Sequence, residues 1–183
     1  FAFVKEIVCM NEFVYKMYSA TCVGLEPVVI TIEVSVSTGV GIYLVGLPDS
    51  AVREALLRVT SAIGFCDYKV PGKKIVINMA PANIKKEGSG YDVAIAVSLL
   101  AASGQCHFVL SSDCLLLGEL SLSGELRSVP GTLPIAINAS QMGFKYLICP
   151  KDSAAQAAQA EGVTVYGVST LKEVVEVLSG GSD

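Results

Sequence analysis

The chain has 183 residues, 52% of them hydrophobic, and its 13 Lys and Arg against 17 Asp and Glu give a formal net charge of −4. That is enough chain for one domain with a substantial core. It excludes a disordered polymer and a surface given over wholly to nucleic acid, while leaving a local basic patch open. No apolar run approaches the roughly 20 residues of a membrane span, so no membrane partner is expected. Lys5, Glu6, Glu12 and Lys16 interrupt the apolar N-terminus, and no small-residue cleavage site follows it, so no signal peptide is read. Cys9, Cys22, Cys66, Cys106, Cys114 and Cys149 form no C-x-x-C pair, and His107 is the single histidine. The thiols read as buried and reduced in a cytoplasmic protein, with no metal-ligand constellation.

In chain order, "VVITIEVSV" (Val28 to Val36) alternates as a strand, with Thr31, Glu33 and Ser35 on one face. The turn "STG" leads into a second β-rich run ending at Gly46, and the two are expected to pair as a hairpin. Pro48 and Asp49 mark the start of a helix whose apolar stripe is Val52, Ala55, Leu56, Val59 and Ile63 and whose stop is Gly64; Arg53, Glu54 and Arg58 fall on its solvated side. "KKIVINMA" (Lys73 to Ala80) is a strand, "YDVAIAVSLLAASG" a helix, and "CLLLGELSLSGELRSV" a pair of short strands around Gly124. A helix over residues 131–142 follows. The C-terminal third then alternates strand, helix, strand, helix, with Ser169 or Thr170 capping the last helix. The pattern predicts an α/β domain of two layers, a mixed β-sheet with helices packed on it.

Between the "KKIVINMA" strand and the next helix lies "IKKEGSGYD", Ile84 to Asp92. It is not a phosphate-cradling loop. The nearest match, at Gly72-Lys73, has Asp67 where the leading glycine belongs and Lys74 where a hydroxyl belongs, and Gly39 and Gly41 form only a G-x-G fragment. A nucleophilic role for Ser89 requires a base within reach, His or Lys. His107 sits in a predicted loop, and periodicity alone does not bring a lysine to Ser89.

Two longer stretches, "NMAPANIKKEGSGYD" and "LLLGELSLSGELRSVPG", are specific. With the order of the segments around them, from "VGLPDSAVREA" to "LICPKDSAAQAA", they make the chain resemble the N-terminal domain of the ComM/YifB family. These are bacterial proteins described as Mg-chelatase-like AAA+ ATPases or competence proteins. The resemblance covers residues 18–178. It implies a Lon protease-like fold, similar also to the Lon-like domain of the DNA-repair protein RadA. Residues 1–17 match nothing in the family and are an unassigned leader, and 179–183 begin a linker to an AAA+ motor outside this sequence.

The resemblance also puts the active-site question residue by residue. Lon's loop reads K-D-G-P-S-A-G with the serine as nucleophile; laid without gaps on Lys86 to Asp92, it places Gly90 at the nucleophile and Ser89 one position early. Lon's general-base lysine falls in a G-G-x-K segment, here "PGTLP", with Leu133 at the lysine position and Pro134 after it. Both halves of the dyad are missing, which implies a pseudo-protease with no catalytic residues. The rival expectation is a surviving Ser–Lys peptidase using Ser89 with Lys85 or Lys86.

The resemblance further implies a homo-oligomer, hexameric in the full-length protein. ATP and Mg2+ would be bound by the motor and no cofactor by this domain, with a role in DNA branch migration and natural transformation. DNA contact within this domain would fall to Lys73, Lys74, Lys85 and Lys86, read as four ammonium groups near one sheet end; the alternative is ordinary solvated lysines flanking a strand. Gly88 and Gly90 suit positive φ or close backbone approach, and Asp92 suits a helix cap or the helix dipole. Glu119 and Glu125 flank the hairpin at exposed positions, a divalent-cation pair being the alternative.

Overall fold

The computed structural model describes residues 14–181. Residues 1–13, most of the expected leader, and 182–183, within the expected linker, lie outside them. β1 (Val14–Val23) and β2 (Glu26–Ser37) form a long antiparallel hairpin. β1 therefore takes in Val14 to Met17, four residues that the sequence reading leaves with the leader, and Met17 is fully buried. β3 (Gly41–Val45), α1 (Ser50–Phe65), β4 (Lys74–Ala80) and α2 (Asp92–Ala102) follow. Next come β5 (Cys114–Leu116) and the small hairpin β6 (Glu119–Leu120) and β7 (Leu126–Arg127). The chain continues with α3 (Thr132–Ala139), β8 (Tyr146–Pro150), α4 (Lys151–Ala157), β9 (Thr164–Val168) and α5 (Leu171–Leu178). Seven strands make one mixed sheet in the order β3-β4-β2-β1-β5-β8-β9, so the mixed α/β class is as the sequence predicts.

One pairing differs from expectation. β2 and β3 are not a hairpin: β4 lies between them, antiparallel to β2 and parallel to β3. The reason is α1. A 16-residue helix between β3 and β4 makes a βαβ crossover, which joins parallel neighbours, and β2's two edges are taken by β1 and β4.

Alternation along the strands decides which face meets which helices. Ile30, Ile32 and Val34 of β2 and Ile75, Ile77 and Met79 of β4 are all fully buried in the larger core, beneath α1, α2 and α5. Leu115, Leu147 and Cys149 point the other way, into a second core with Ile135, Ala136 and Ala139 of α3 and Ala157 of α4. The expected two layers thus become three over β1, β5, β8 and β9. Over β3 and β4 the second face stays open, with Tyr43, Val45 and Lys74 exposed. α2 is buried from Asp92 to Ala101, which is why its sequence is apolar on every side.

Helix boundaries follow their caps. Asp49, extended at φ −78°, accepts from Val52 N at 2.8 Å to open α1, and Thr170 accepts from Glu173 N at 3.3 Å to open α5. α1 runs one residue past the expected stop at Gly64, and Asp67 rather than Gly64 takes the left-handed conformation after it, at φ 65°.

Candidate functional site: a cavity beside the Gly88–Asp92 loop

β4 delivers the chain at Ala80 into the connection that ends at α2, and hydrogen bonds fix that connection from behind. Lys86 N donates to Leu47 O and Asp49 N to Lys86 O, each at 3.0 Å. Gly88, at φ 81°, donates its N–H to the second carboxylate oxygen of Asp49 at 3.2 Å. One aspartate therefore starts α1 and anchors the glycine loop. Further on, Gly118 N donates to Gly90 O at 3.2 Å, and Val93 N to Gly118 O at 3.3 Å.

Asp92 is the polar centre of this back side. It is fully buried, and its carboxylate accepts from Arg58 Nε at 2.6 Å, Arg58 Nη2 at 3.0 Å and Leu120 N at 3.0 Å. Burial pushes its pKa up, and the Arg58 hydrogen bond and the Leu120 N–H pull against that; Arg58 is itself held above its ordinary value by the Asp92 carboxylate. Two expectations change here. Arg58 is not on a solvated face, because a buried carboxylate requires a partner and α1 crosses α2 at that point. Nor does Asp92 cap its own helix: it is the first residue of α2, and its side chain serves Arg58 and the β6 backbone.

Ser89 donates its hydroxyl to Glu119, and Glu119 faces Arg127 across the β6–β7 hairpin, with 3.8 Å between charged atoms. Neither lysine proposed as its base engages it. Lys85 is exposed and paired with Glu87 at 3.2 Å. Lys86 is fully buried, and its ammonium donates to Pro81 O. Burial away from water lowers its pKa. His107 is exposed beyond the end of α2. Glu119 is engaged with Ser89 and Arg127 rather than with Glu125. Among the described residues, no group of three His, Cys, Asp or Glu is placed to hold a metal ion.

The front side of the loop borders a cavity of about 690 Å3, walled by Gly88, Ser89 and Gly90 on one side and by Val129, Pro130 and Gly131 on the other. Of the two positions that the resemblance gives the dyad, Gly90 borders this cavity and Leu133 does not. Gly90 lines the cavity, and Leu133 lies in the first turn of α3 between the lining residues Gly131 and Pro134. A side chain at Gly90 would meet Val129 at 3.6 Å, an ordinary contact, so space does not forbid a serine there. The cavity also takes in Thr21 and Cys22 of β1 and Tyr91. The β1 residues carry no sequence signal of their own, because Lys16, Ser19 and Thr21 mask that strand's alternation.

The four lysines do not gather. Lys73 and Lys74 lie at the start of β4, and Lys85 and Lys86 beyond its far end, a separation of roughly 20 Å for a seven-residue strand. Lys74 sits over the Tyr43 ring, 5.9 Å from its centroid. A phosphate-binding role for Lys86 is ruled out by its burial, which leaves Lys73, Lys74 and Lys85 at the surface.

Residues 32–153 match the family model described as subunit ChlI of Mg-chelatase, well over half of the chain. The competence protein ComM of Haemophilus influenzae is 40% identical over 165 residues, 90% of this chain and 32% of that protein. The uncharacterized protein YifB of Escherichia coli is 39% identical over 165 residues, again 90% of this chain and 32% of that protein. The chain belongs to the ComM/YifB family. It spans about a third of the length of these two relatives. Weaker similarity links this ComM/YifB-family chain to the DNA repair protein RadA of Listeria monocytogenes, 33% identical over 97 residues (53% of this chain, 21% of that protein). The archaeal Lon protease of Methanocaldococcus jannaschii is 26% identical over 112 residues (61% of this chain, 17% of that protein). No helix among the described residues is long and apolar enough to cross a membrane.

Proposed function

We propose that this chain is a non-catalytic Lon-like domain of a ComM/YifB-type AAA+ protein, a cytoplasmic, homo-oligomeric and in full length hexameric machine that processes DNA. The observation that supports the non-catalytic reading is at Ser89: its hydroxyl donates to Glu119 and neither nearby lysine engages it, while glycine and leucine hold the two positions that the resemblance gives the dyad. The rival Ser–Lys peptidase draws no support from Lys85 or Lys86, each engaged elsewhere. ATP and Mg2+ belong to the motor region, and the competence name of ComM and the repair name of RadA support branch migration and natural transformation as the setting.

Within that machine the domain serves ring assembly, DNA contact or both. A DNA-contacting face would rest on Lys73 and Lys74, which share the start of β4, rather than on a four-lysine cluster. Their contact would be with phosphates, as point charges, without sequence preference. Fluorescence anisotropy of labelled single-stranded and forked DNA at several salt concentrations tests this. Binding that weakens with salt, is lost in Lys73→Glu/Lys74→Glu and survives in Lys85→Glu supports DNA contact at that face. No binding at low salt leaves assembly as the domain's task, and a salt-dependent complex indifferent to Lys73 and Lys74 moves the contact elsewhere.

A further inference from the structure

The sheet face left open over β3 and β4 has a definite layout. Ile75, Ile77 and Met79 of β4 enter the larger core, so Lys74, Val76 and Asn78 point the other way. The register then sets rows of side chains across β3, β4, β2 and β1. Tyr43, Val76, Ser35 and Val14 form one row, and Val45, Asn78, Glu33 and Lys16 form the next. Gly41 and Lys74, themselves paired, stand on the other side of the Tyr43 row.

Tyr43 is the centre of this face. It is 51% exposed on an edge strand, and its ring leans along β3 over Gly41. A Cβ at Gly41 would stand 3.2 Å from Cε2 and Oη of the ring, so the missing side chain lets the ring lie against the strand. Lys74 sits over the same ring, its Nζ 5.9 Å from the centroid. Backbone and cation thus hold a flat apolar surface in place, half open to water.

The charge around the ring is positive. Lys73 and Lys74 are exposed at the start of β4, and Lys16 lies three strands across from β3, roughly 14 Å away. Among the described residues of these four strands, the carboxylate on this face is Glu33, and it is engaged. Asn78 Nδ2 donates to it at 3.2 Å, and Lys16 Nζ stands 4.0 Å from it. Val76, Ser35 and Val14 continue the row of the ring with small, uncharged side chains.

This combination selects the partner. Cations alone would suit any phosphate, but a ring held open beside them suits a planar base joined to phosphates. In a duplex the bases are already stacked on one another, whereas a single strand offers them. A second copy meeting this face through its own equivalent face would set lysine against lysine. We propose that the open face of β3 and β4 binds single-stranded DNA. One base stacks on the Tyr43 ring, the adjoining phosphates meet Lys73 and Lys74, and Lys16 meets the strand further along the face. The inference rests on the reading that this domain contacts DNA at the start of β4, and it adds contact with a base to contact with phosphates.

The test is fluorescence anisotropy of the 183-residue chain with labelled oligothymidylate, an abasic strand of the same length and a duplex of that length. Tyr43→Ala is expected to weaken oligothymidylate by about five- to a hundredfold while leaving the duplex within about twofold. Tyr43→Phe, which keeps the ring, is expected to bind as the unaltered chain does, and circular dichroism confirms that both variants are folded. The abasic strand is expected to bind the unaltered chain more weakly than oligothymidylate, and Tyr43→Ala to bind the two alike. A strand carrying 5-iodouracil is expected to cross-link to Tyr43 on irradiation, as mapped by mass spectrometry. Full affinity for oligothymidylate in folded Tyr43→Ala, equal binding of the abasic strand by the unaltered chain, or a cross-link mapped only elsewhere overturns the stacking site. A loss in Tyr43→Phe as large as in Tyr43→Ala assigns the effect to the hydroxyl and overturns it too. If DNA binding is still lost in Lys73→Glu/Lys74→Glu, the DNA-contact reading survives that failure, whereas no binding of any strand at low salt overturns both. Self-association that Tyr43→Ala abolishes, with DNA binding unchanged, gives the face to a second copy and overturns the proposal.

Discussion

The two sides of the Pro81–Asp92 connection differ in kind. Behind it, towards α1 and the β6–β7 hairpin, polar groups meet polar groups: Asp49 holds Val52 N and Gly88 N, Asp92 holds Arg58 and Leu120 N, and Glu119 holds Ser89. In front of it, towards α3, Gly90 faces Leu133's helix across a largely apolar cavity. The polar chemistry behind the connection holds a loop in shape. On the proposed reading, the groups that shape the loop are different residues from those that would react.

Breaking the back side should cost most at Arg58. Arg58→Met leaves the fully buried Asp92 carboxylate without its partner and is expected to lower stability by about 3–5 kcal/mol in urea unfolding. Replacing both, Arg58→Met with Asp92→Leu, should recover much of that loss. A single-variant cost under about 1 kcal/mol would mean that the pair does not hold the loop.

Asp49→Ala removes the α1 cap and the Gly88 anchor together, at about 1–2 kcal/mol by the same measurement. Lys86 gives a smaller effect, visible as a slope against pH. Burial lowers its folded-state pKa below the ordinary 10.5, so the unfolded chain binds more protons between the two values. Stability is expected to rise as pH climbs through that window towards 10.5, and Lys86→Met should flatten the rise.

The front side should be nearly indifferent. Gly90→Ser places a side chain at ordinary contact with Val129 and is expected to shift stability by no more than about 0.5 kcal/mol. A large loss there would show that the cavity wall, too, is under tight constraint.

Much of this frame was legible in the sequence. The alternation of Ile30, Ile32 and Val34 set β2, Asp49 marked the start of α1 and Thr170 that of α5, each because a local period or a local cap carries the signal. What failed was non-local. β2 and β3 are adjacent in sequence with a turn between them, and only the later arrival of β4 separates them. β1 carries Lys16, Ser19 and Thr21, which hide its alternation; Ser19 is buried because its hydroxyl donates to Leu116 O at 2.7 Å across the sheet. Lys86 stands between Lys85 and Glu87, both exposed, and nothing in that charged triplet shows that the middle side chain turns inward. Arg58 shares its helix with the exposed Arg53 and Glu54, and its partner is 34 residues away. The proposed loss of the dyad rests on the family resemblance alone, since neither glycine nor leucine marks a site by its own chemistry.

The central claim is that this domain holds the frame of a hydrolytic site and not its chemistry. The most direct measurement is reaction of the chain with a serine-reactive fluorophosphonate, followed by intact-mass and peptide mapping, alongside Ser89→Ala. The account predicts no adduct at Ser89, whose hydroxyl donates to the Glu119 carboxylate while Lys85 and Lys86 are engaged elsewhere. A stoichiometric adduct on Ser89 that disappears in Ser89→Ala would contradict it.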